Sequence, residues 1–144
     1  TELYDSIYAF HDPSRIVCTG SLEREEVVKI ICSSYCVALS RPRNTQAQYG
    51  FPTKLGEYLA SGKPVVITKV GDIPLFLKDE ESAYLAEPDS IDSFAERLRV
   101  CLGNPKVAFE IGKKGRFVCE NSFCHFKAVH PILNALGSMD IGSF

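Results

Sequence analysis

At 144 residues, with 45% hydrophobic and 24% charged side chains, the chain has the length of one domain and the composition of a packed one, which excludes intrinsic disorder. Sixteen Lys and Arg stand against eighteen Asp and Glu, a net charge of −2, without the basic excess that a nucleic-acid partner demands. No apolar run approaches the roughly 20 residues of a membrane span, and the first residues lack a secretory pattern, so the expected location is cytoplasmic.

Leu3, Ile7 and Phe10 share a stripe and predict a helix over 2–10, ending before Asp12-Pro13. RIVCTG (15–20) reads as a short strand closed by Gly20. The stretch Ser21 to Glu25 offers an N-cap for an amphipathic helix over 25–34, and YCVALS (35–40) is a second strand. RPRNTQAQYG (41–50) is too long and unpatterned for a regular element; it opens onto a helix over 51–62, with Pro52 near the start and Gly62 at the end. KPVVIT (63–68) is a third strand, IPLFLKD (73–79) a short helix, and AYLAE (83–87) a fourth strand stopped by Pro88. The helix over 90–103 is capped by Asp89 or Ser90 and carries Ile91, Phe94, Ala95, Leu98 and Leu102 on its core side. Residues 106–123 predict another helix, weakened by Gly112 and Gly115, and 124–137 a last one kinked at Pro131. Apolar strands alternating with helices predict an α/β fold whose parallel sheet is covered on both faces, in a single domain over 1–144.

Six cysteines, at 18, 32, 36, 101, 119 and 124, include no Cys-x-x-Cys pair. That spacing suits neither a zinc site nor a disulfide framework. Cys18, Cys36 and Cys101 lie in apolar runs and are expected to pack as small, reduced hydrophobes. His11, His125 and His130 are scattered, without partners at metal-ligand spacing.

Ligands of open α/β sheets sit outside the C-terminal ends of the strands. Strand 35–40 empties there into the loop that feeds the helix at Phe51. Gly50 lets backbone approach a ligand, and the helix start presents unpaired N–H groups with partial positive charge, an anion site suited to phosphate or diphosphate. Lys54, Glu57 and Ser61 recur on one face of this helix, with Leu55, Tyr58 and Leu59 on the core side. A carboxylate one turn in can accept hydrogen bonds from vicinal hydroxyls, as on a ribose. The same spacing equally describes a solvated Lys54–Glu57 pair worth roughly 0.3 kcal/mol.

YGFPTKLGEYLASGKPVVITKVGDIP (49–74) resembles the donor-site signature of the GT-B glycosyltransferases of the family 4-like, group 1 type. Their pattern runs Glu-Gly-Phe-Gly/Pro, then a second Glu, and on to Pro-Val-Val-x-Thr-x-x-Gly-Gly-x-Pro. VCTGSLEREEVVKII (17–31) resembles the family's strand–Gly–helix segment, AYLAEPDSIDSFAERL (83–98) its stretch after the donor site, and 124–136 its final helix. The resemblance implies a Rossmann-like doubly wound parallel sheet of order 3-2-1-4-5-6, the C-terminal donor-binding domain of such an enzyme. It implies that Glu57 binds the ribose hydroxyls of a nucleoside diphosphate-sugar. Gly50 and Phe51 would meet the donor sugar through backbone N–H groups, Thr53 and Lys54 would hold the distal phosphate, and Ser21 and Leu22 would contact the base.

Similar enzymes transfer a sugar to an acceptor hydroxyl in glycan or glycolipid synthesis, usually with retention and without a metal or other cofactor; some parent proteins sit peripherally at a membrane. This sequence departs from the pattern at Tyr49, where the family has its first glutamate. Tyr49, Gln48, Gln46 or Asn44 would replace that carboxylate with neutral hydrogen bonds. Arg41 and Arg43 either reach a diphosphate in fork geometry or are surface residues. Asp72 stands for the second glycine of the Gly-Gly turn, approaching a hydroxyl or capping helix 73–79. The acceptor domain, and this domain's first two strands with their diphosphate-clamping Arg and Lys, precede the segment matched by Thr1. The expectation is therefore a fragment inactive alone, whose sheet gap closes internally or by homo-oligomeric strand swapping. A non-catalytic nucleotide-binding module, a nucleotide-sugar epimerase and a phosphorylase are the alternatives.

Overall fold

An uninterrupted apolar run can be buried on both sides only in the middle of a sheet, and Val65–Thr68 occupies that place. The computed structural model describes residues 13–123, and the chain divides into two compact units, residues 1–30 and 31–144. The helices predicted over 2–10 and 124–137, with Cys124, His11, His125 and His130, lie outside the described residues.

In the first unit a 3-10 turn, Pro13–Arg15, leads to an extended stretch and then to α1 (Arg24–Ser33). The Glu26 carboxylate accepts from the Glu23 N–H at 3.1 Å, which satisfies a donor at the helix start and places negative charge at its positive end. The strand read over 15–20 is not formed. Residues 16–20 join no ladder among the described residues; Val17 is 80% exposed and Cys18 is exposed rather than buried. An apolar run becomes a strand only by hydrogen-bonding to a neighbour.

In the second unit the order is β1 (Val37–Leu39), α2 (Thr45–Tyr49), α3 (Thr53–Ala60), β2 (Val65–Thr68), α4 (Ile73–Phe76), β3 (Tyr84–Ala86), α5 (Ile91–Gly103) and α6 (Pro105–Val118), continued by a π-helical turn, Cys119–Phe123. The sheet is β1-β2-β3, all parallel, with Val37 opposite Val65 and Val66 opposite Tyr84. The period of two sends β2 side chains to opposite faces. Val65 and Ile67 pack with Leu55, Leu59, Ile73 and Leu77, whereas Val66 packs with Tyr84, Cys101, Ala108 and Ile111. Helices thus cover both faces, and the α/β reading holds. Full burial of Leu55 and Leu59, each worth about 1.5–3 kcal/mol, fixes how α3 lies on the sheet.

Several boundaries differ from the sequence reading for local reasons. The helix over 73–79 stops at Phe76, because buried Leu77 turns extended and residues 78–82 close on themselves through Ser82 Oγ, which accepts from Lys78 N at 3.0 Å. Arg97 on α5 clamps that turn, donating to Asp79 at 3.1 Å and Glu80 at 2.7 Å. Asp72 sits at the N-cap of α4 but makes no side-chain capping bond. Ser90 caps α5, accepting from Ser93 N at 3.2 Å. The core side of α5 is Phe94, Leu98, Val100 and buried Cys101; Ile91 and Leu102, near the two ends of the helix, are 87% and 54% exposed, because the helix meets the sheet through only part of its apolar arc.

The glycines of α6 face the core. A Cβ on Gly112 would lie 2.4 Å from the Gly62 carbonyl oxygen, so glycine there lets the helix press its backbone onto the entry to β2. Gly56, inside α3, has nothing within 4 Å of such a Cβ. The same substitution is therefore expected to have opposite signs: Gly56→Ala stabilises by about 0.5–1 kcal/mol, while Gly112→Ala destabilises by about 1–3 kcal/mol, both read from urea midpoints.

Burial pushes the Tyr84 phenol up to about 12, with Cys101 beside it acting in the same direction, and burial raises Tyr35 too. A phenol whose folded pKa exceeds its unfolded value of about 10 binds its proton more tightly when folded. Its contribution to stability is whole below pH ~10 and is lost as pH rises toward 12. Tyr84→Phe, which keeps the ring, should flatten the fall of the melting temperature over that alkaline range. An unchanged alkaline limb would refute the assignment.

Candidate functional site

Thr68 ends the apolar run of β2 with a hydroxyl that is 2% exposed. Its Oγ1 accepts from the Arg41 N–H at 2.8 Å and donates to the Arg41 carbonyl at 2.9 Å. The chain leaving β1 is thereby fastened to the end of β2 at the start of the 41–50 segment. The Arg41 guanidinium then donates to the Gly50 carbonyl at 2.7 Å, tying the two ends of the segment together. Between these ties, Asn44 Oδ1 accepts from Ala47 N at 2.8 Å and starts α2, and Gly50 N donates to Gln46 O at 2.8 Å and ends it. The segment read as irregular thus contains a short helix, ordered by a polar cap rather than by an apolar period.

The turn after β2 supports this arrangement from beneath. Gly71 has φ +55°, and a Cβ there would lie 2.7 and 2.9 Å from the carbonyl oxygens of Gln48 and Ala47. Only glycine combines that left-handed conformation with so close a backbone approach.

With the segment held, Leu39, Arg41, Phe51, Pro52, Thr53 and Lys54 line a cleft of about 240 Å³ at the C-terminal end of β1. Here α3 begins. Pro52 at its N-cap makes no side-chain capping bond, and the first turn holds no acidic residue. The N–H groups of Thr53 and Lys54 and the positive end of the helix dipole are therefore open to a ligand. Two cationic side chains line the same cleft, so it suits an anion. Glu57 lies one turn further along, exposed, and no ion pair joins it to Lys54 among the described residues. Phe51 is braced by Phe76 and Phe123, with ring centroids 5.7 and 5.1 Å away.

The structure gathers Arg41, Phe51, Thr53 and Lys54 around this cleft, with Gly50 bound to Arg41 and Glu57 on the adjoining helix turn. Gly50 N–H is already engaged by Gln46 O, which leaves the Phe51 N–H of the two backbone groups expected to meet a sugar. Tyr49 is 86% exposed, Asn44 Oδ1 is occupied as the cap of α2, and Arg43 is exposed with its N–H donated to Asp89 Oδ1 at 3.1 Å. Ser21 and Leu22 lie ahead of α1 in the first unit. Sequence reasoning missed Thr68 as the anchor of the segment. Its signal was present, since Thr68 fills the threonine of the Pro-Val-Val-x-Thr pattern, but a strand-end hydroxyl does not announce its partner.

A second cleft, of about 300 Å³, opens where Ser40, Thr68, Glu87, Asp89 and Phe94 meet. Its ionisable lining is acidic, and Glu87 is paired with Lys69, so it offers no site for an anion. Among the described residues no group of three His, Cys, Asp or Glu side chains could hold a metal, and no helix is long and apolar enough to cross a membrane.

The family described as "Glycosyl transferases group 1" matches residues 4–104. Trehalose phosphorylase of Pleurotus pulmonarius is 30% identical over 103 residues, an alignment spanning 67% of this chain and 13% of that protein. Among solved structures, Alr3699/HepE of Anabaena in complex with UDP-glucose superposes with a TM-score of 0.81 at 19% identity, covering 96% of this chain and 36% of that one. Sucrose-phosphate synthase of Thermosynechococcus elongatus gives a TM-score of 0.73 at 19% identity, covering 94% and 34%. The fold is therefore the Rossmann-like domain of GT-B glycosyltransferases, and the chain spans about a third of the length of these structural relatives and about an eighth of the fungal one.

Thr68→Val keeps the volume but strands the N–H and C=O of Arg41 without partners. It should cost about 1–3 kcal/mol and speed amide exchange at Arg41 and Gly50 by roughly tenfold or more, with the rest of β2 less affected. Uniform acceleration across the sheet would show that the hydroxyl has no special hold on the segment.

Proposed function

The chain belongs to the group 1 glycosyl transferases, and from that premise we propose that its second unit binds the diphosphate and ribose of a nucleoside diphosphate-sugar, as the donor side of a retaining transferase acting on an acceptor hydroxyl. One observation carries the reading: Arg41, Lys54 and the uncapped start of α3 line one cleft, with Glu57 one turn away. The N–H groups of Thr53 and Lys54 take the distal phosphate, the Lys54 ammonium and the remaining donors of the Arg41 guanidinium offset its charge, and Glu57 accepts from the ribose hydroxyls.

Chemically, the bond from the anomeric carbon to the diphosphate oxygen breaks, the acceptor oxygen bonds that carbon, and the acceptor's proton leaves with the diphosphate. Negative charge grows on the departing group, so donors preorganised around it favour the transition state over the ground state. These groups meet that charge without a metal ion. No carboxylate stands at position 49, so the sugar itself is held by neutral donors and acceptors, chief among them the Phe51 N–H.

A second reading uses the same anion cleft for orthophosphate, as the attacking group in phosphorolysis of a glycoside. It is favoured by the 30% identity to a protein named as a trehalose phosphorylase.

A thermal-shift and calorimetric panel of UDP, GDP, ADP, their sugars, pyrophosphate and orthophosphate separates the two. Ligand at 100 times its Kd should add about 2.7 kcal/mol, a shift of several degrees. For the transferase reading, one nucleoside diphosphate binds, Glu57→Ala weakens it by roughly 10- to 100-fold while sparing pyrophosphate, and Lys54→Ala weakens both. A response to orthophosphate that Glu57→Ala leaves unchanged favours phosphorolysis. No response to any of them overturns both readings for this cleft.

A further inference from the structure

Three phenylalanines from three separate segments meet beside the start of α3. Phe51 precedes that helix, Phe76 ends α4, and Phe123 ends the π-helical turn after α6. The Phe51 and Phe76 rings stand edge to face at 5.7 Å and 78°, and Phe123 tilts against both at 5.1 Å. Phe123 also packs on the buried cluster of Leu55 and Leu59, which anchors the group to the core. The trio is braced but not sealed, since Phe51 and Phe76 are each 39% exposed. Phe51 lines the anion cleft with Leu39 and Pro52, so half of the residues around that cleft are apolar.

We propose that the Phe51 ring is the sugar platform of this site, with the donor's pyranose lying C–H face down on it while Arg41, Lys54 and the start of α3 hold the diphosphate. The proposal rests on the transferase reading above and names the sugar class for it: a hexopyranose of gluco or galacto type, whose ring has a face of C–H groups uninterrupted by hydroxyls.

Such a sugar is amphipathic, with its hydroxyls around the rim. Laying its C–H face on an aromatic ring removes apolar area of both partners from water and sets weakly positive C–H groups against the negative face of the ring. No carboxylate stands at position 49 to grip the sugar hydroxyls, and Tyr49 is 86% exposed. A platform supplies sugar affinity without a charged acceptor. Phe76 and Phe123 hold the Phe51 ring in place, so little side-chain freedom remains to be lost when a sugar lands on it.

The order of groups along the chain also matches the order of groups along the ligand. The ring is at 51, the N–H groups for the distal phosphate are at 53 and 54, and the acceptor for the ribose is one turn on at Glu57. In a nucleoside diphosphate-sugar the sequence is likewise sugar, distal phosphate, then ribose.

Calorimetry on the whole chain with paired probes tests this: UDP with UDP-glucose, GDP with GDP-glucose, and ADP with ADP-glucose. The quantity read is the affinity of the sugar-bearing nucleotide relative to its bare diphosphate. For the pair that binds, Phe51→Ala should lower this ratio by roughly 3- to 10-fold. Phe51→Leu, apolar but not aromatic, should lower it nearly as far, and Phe51→Tyr should keep it. Proton resonances of the bound glucose C–H groups should move upfield with the unsubstituted chain, through the ring current, and not with Phe51→Leu. If Phe51→Ala does not fold, Phe51→Leu and the proton shifts decide. A nucleotide that still binds, with the ratio unchanged in Phe51→Leu and no upfield shift in the unsubstituted chain, overturns the platform and leaves the transferase reading standing. Binding of no nucleotide by the unsubstituted chain overturns that reading and the platform with it.

Discussion

Burial of β2 on both faces is the constraint from which the second unit is built. A strand of Val65, Val66, Ile67 and Thr68 exposes almost nothing to solvent, so it needs a strand on each side and a helix layer above and below. β1 and β3 supply the first, and the two apolar clusters supply the second. β1 is the less protected neighbour: Val37 and Leu39 are half-buried and Ala38 is exposed, as suits a strand at the edge of the sheet. The apolar run ends at a hydroxyl, and that hydroxyl is where the fold turns into a site.

Arg41 connects the two roles. Its backbone is satisfied by Thr68, and part of its guanidinium by the Gly50 carbonyl. A cation fastened this way is preorganised, so little side-chain entropy remains to be lost when it meets an anion. Lys54 reaches the same cleft from α3, whose own N-terminus adds partial positive charge. The second cleft, which Thr68 also lines, is acidic, so charge as well as shape makes the Arg41–Lys54 cleft the one suited to an anion.

The opposite face shows a different use of polar atoms. Cys36, Cys101 and Tyr84 sit among aliphatic side chains and pack there by volume. Burial raises the proton affinity of the Tyr84 phenol. Neither thiol nor phenol belongs to the anion cleft, so the two faces of one sheet carry chemically independent groups.

Periodicity and punctuation in the sequence by themselves determined the order of α1, β1, α3, β2, α4, β3, α5 and α6, the parallel α/β class, the buried faces of α3 and β2, and the start of α3 near Pro52. Those features follow from local spacing, from Pro52 and Gly62, and from apolar runs too continuous for an exposed strand. The tertiary structure alone decided the rest. RIVCTG has the composition of a strand, yet strand formation depends on a neighbour that no local pattern encodes. The stripe on α5 settled on Phe94, Leu98 and Cys101 rather than Ile91 and Leu102, because the helix meets the sheet through only part of its apolar arc. The glycines that lower the intrinsic helicity of α6 are the contacts that let it pack, and the 41–50 segment is ordered by Thr68 and Gly71, from outside it. Short-range spacing specifies what a segment can become; which hydroxyl, carbonyl or thiol it meets depends on residues distant in the chain, and hydrogen bonds and close backbone contacts are decided only when those residues arrive.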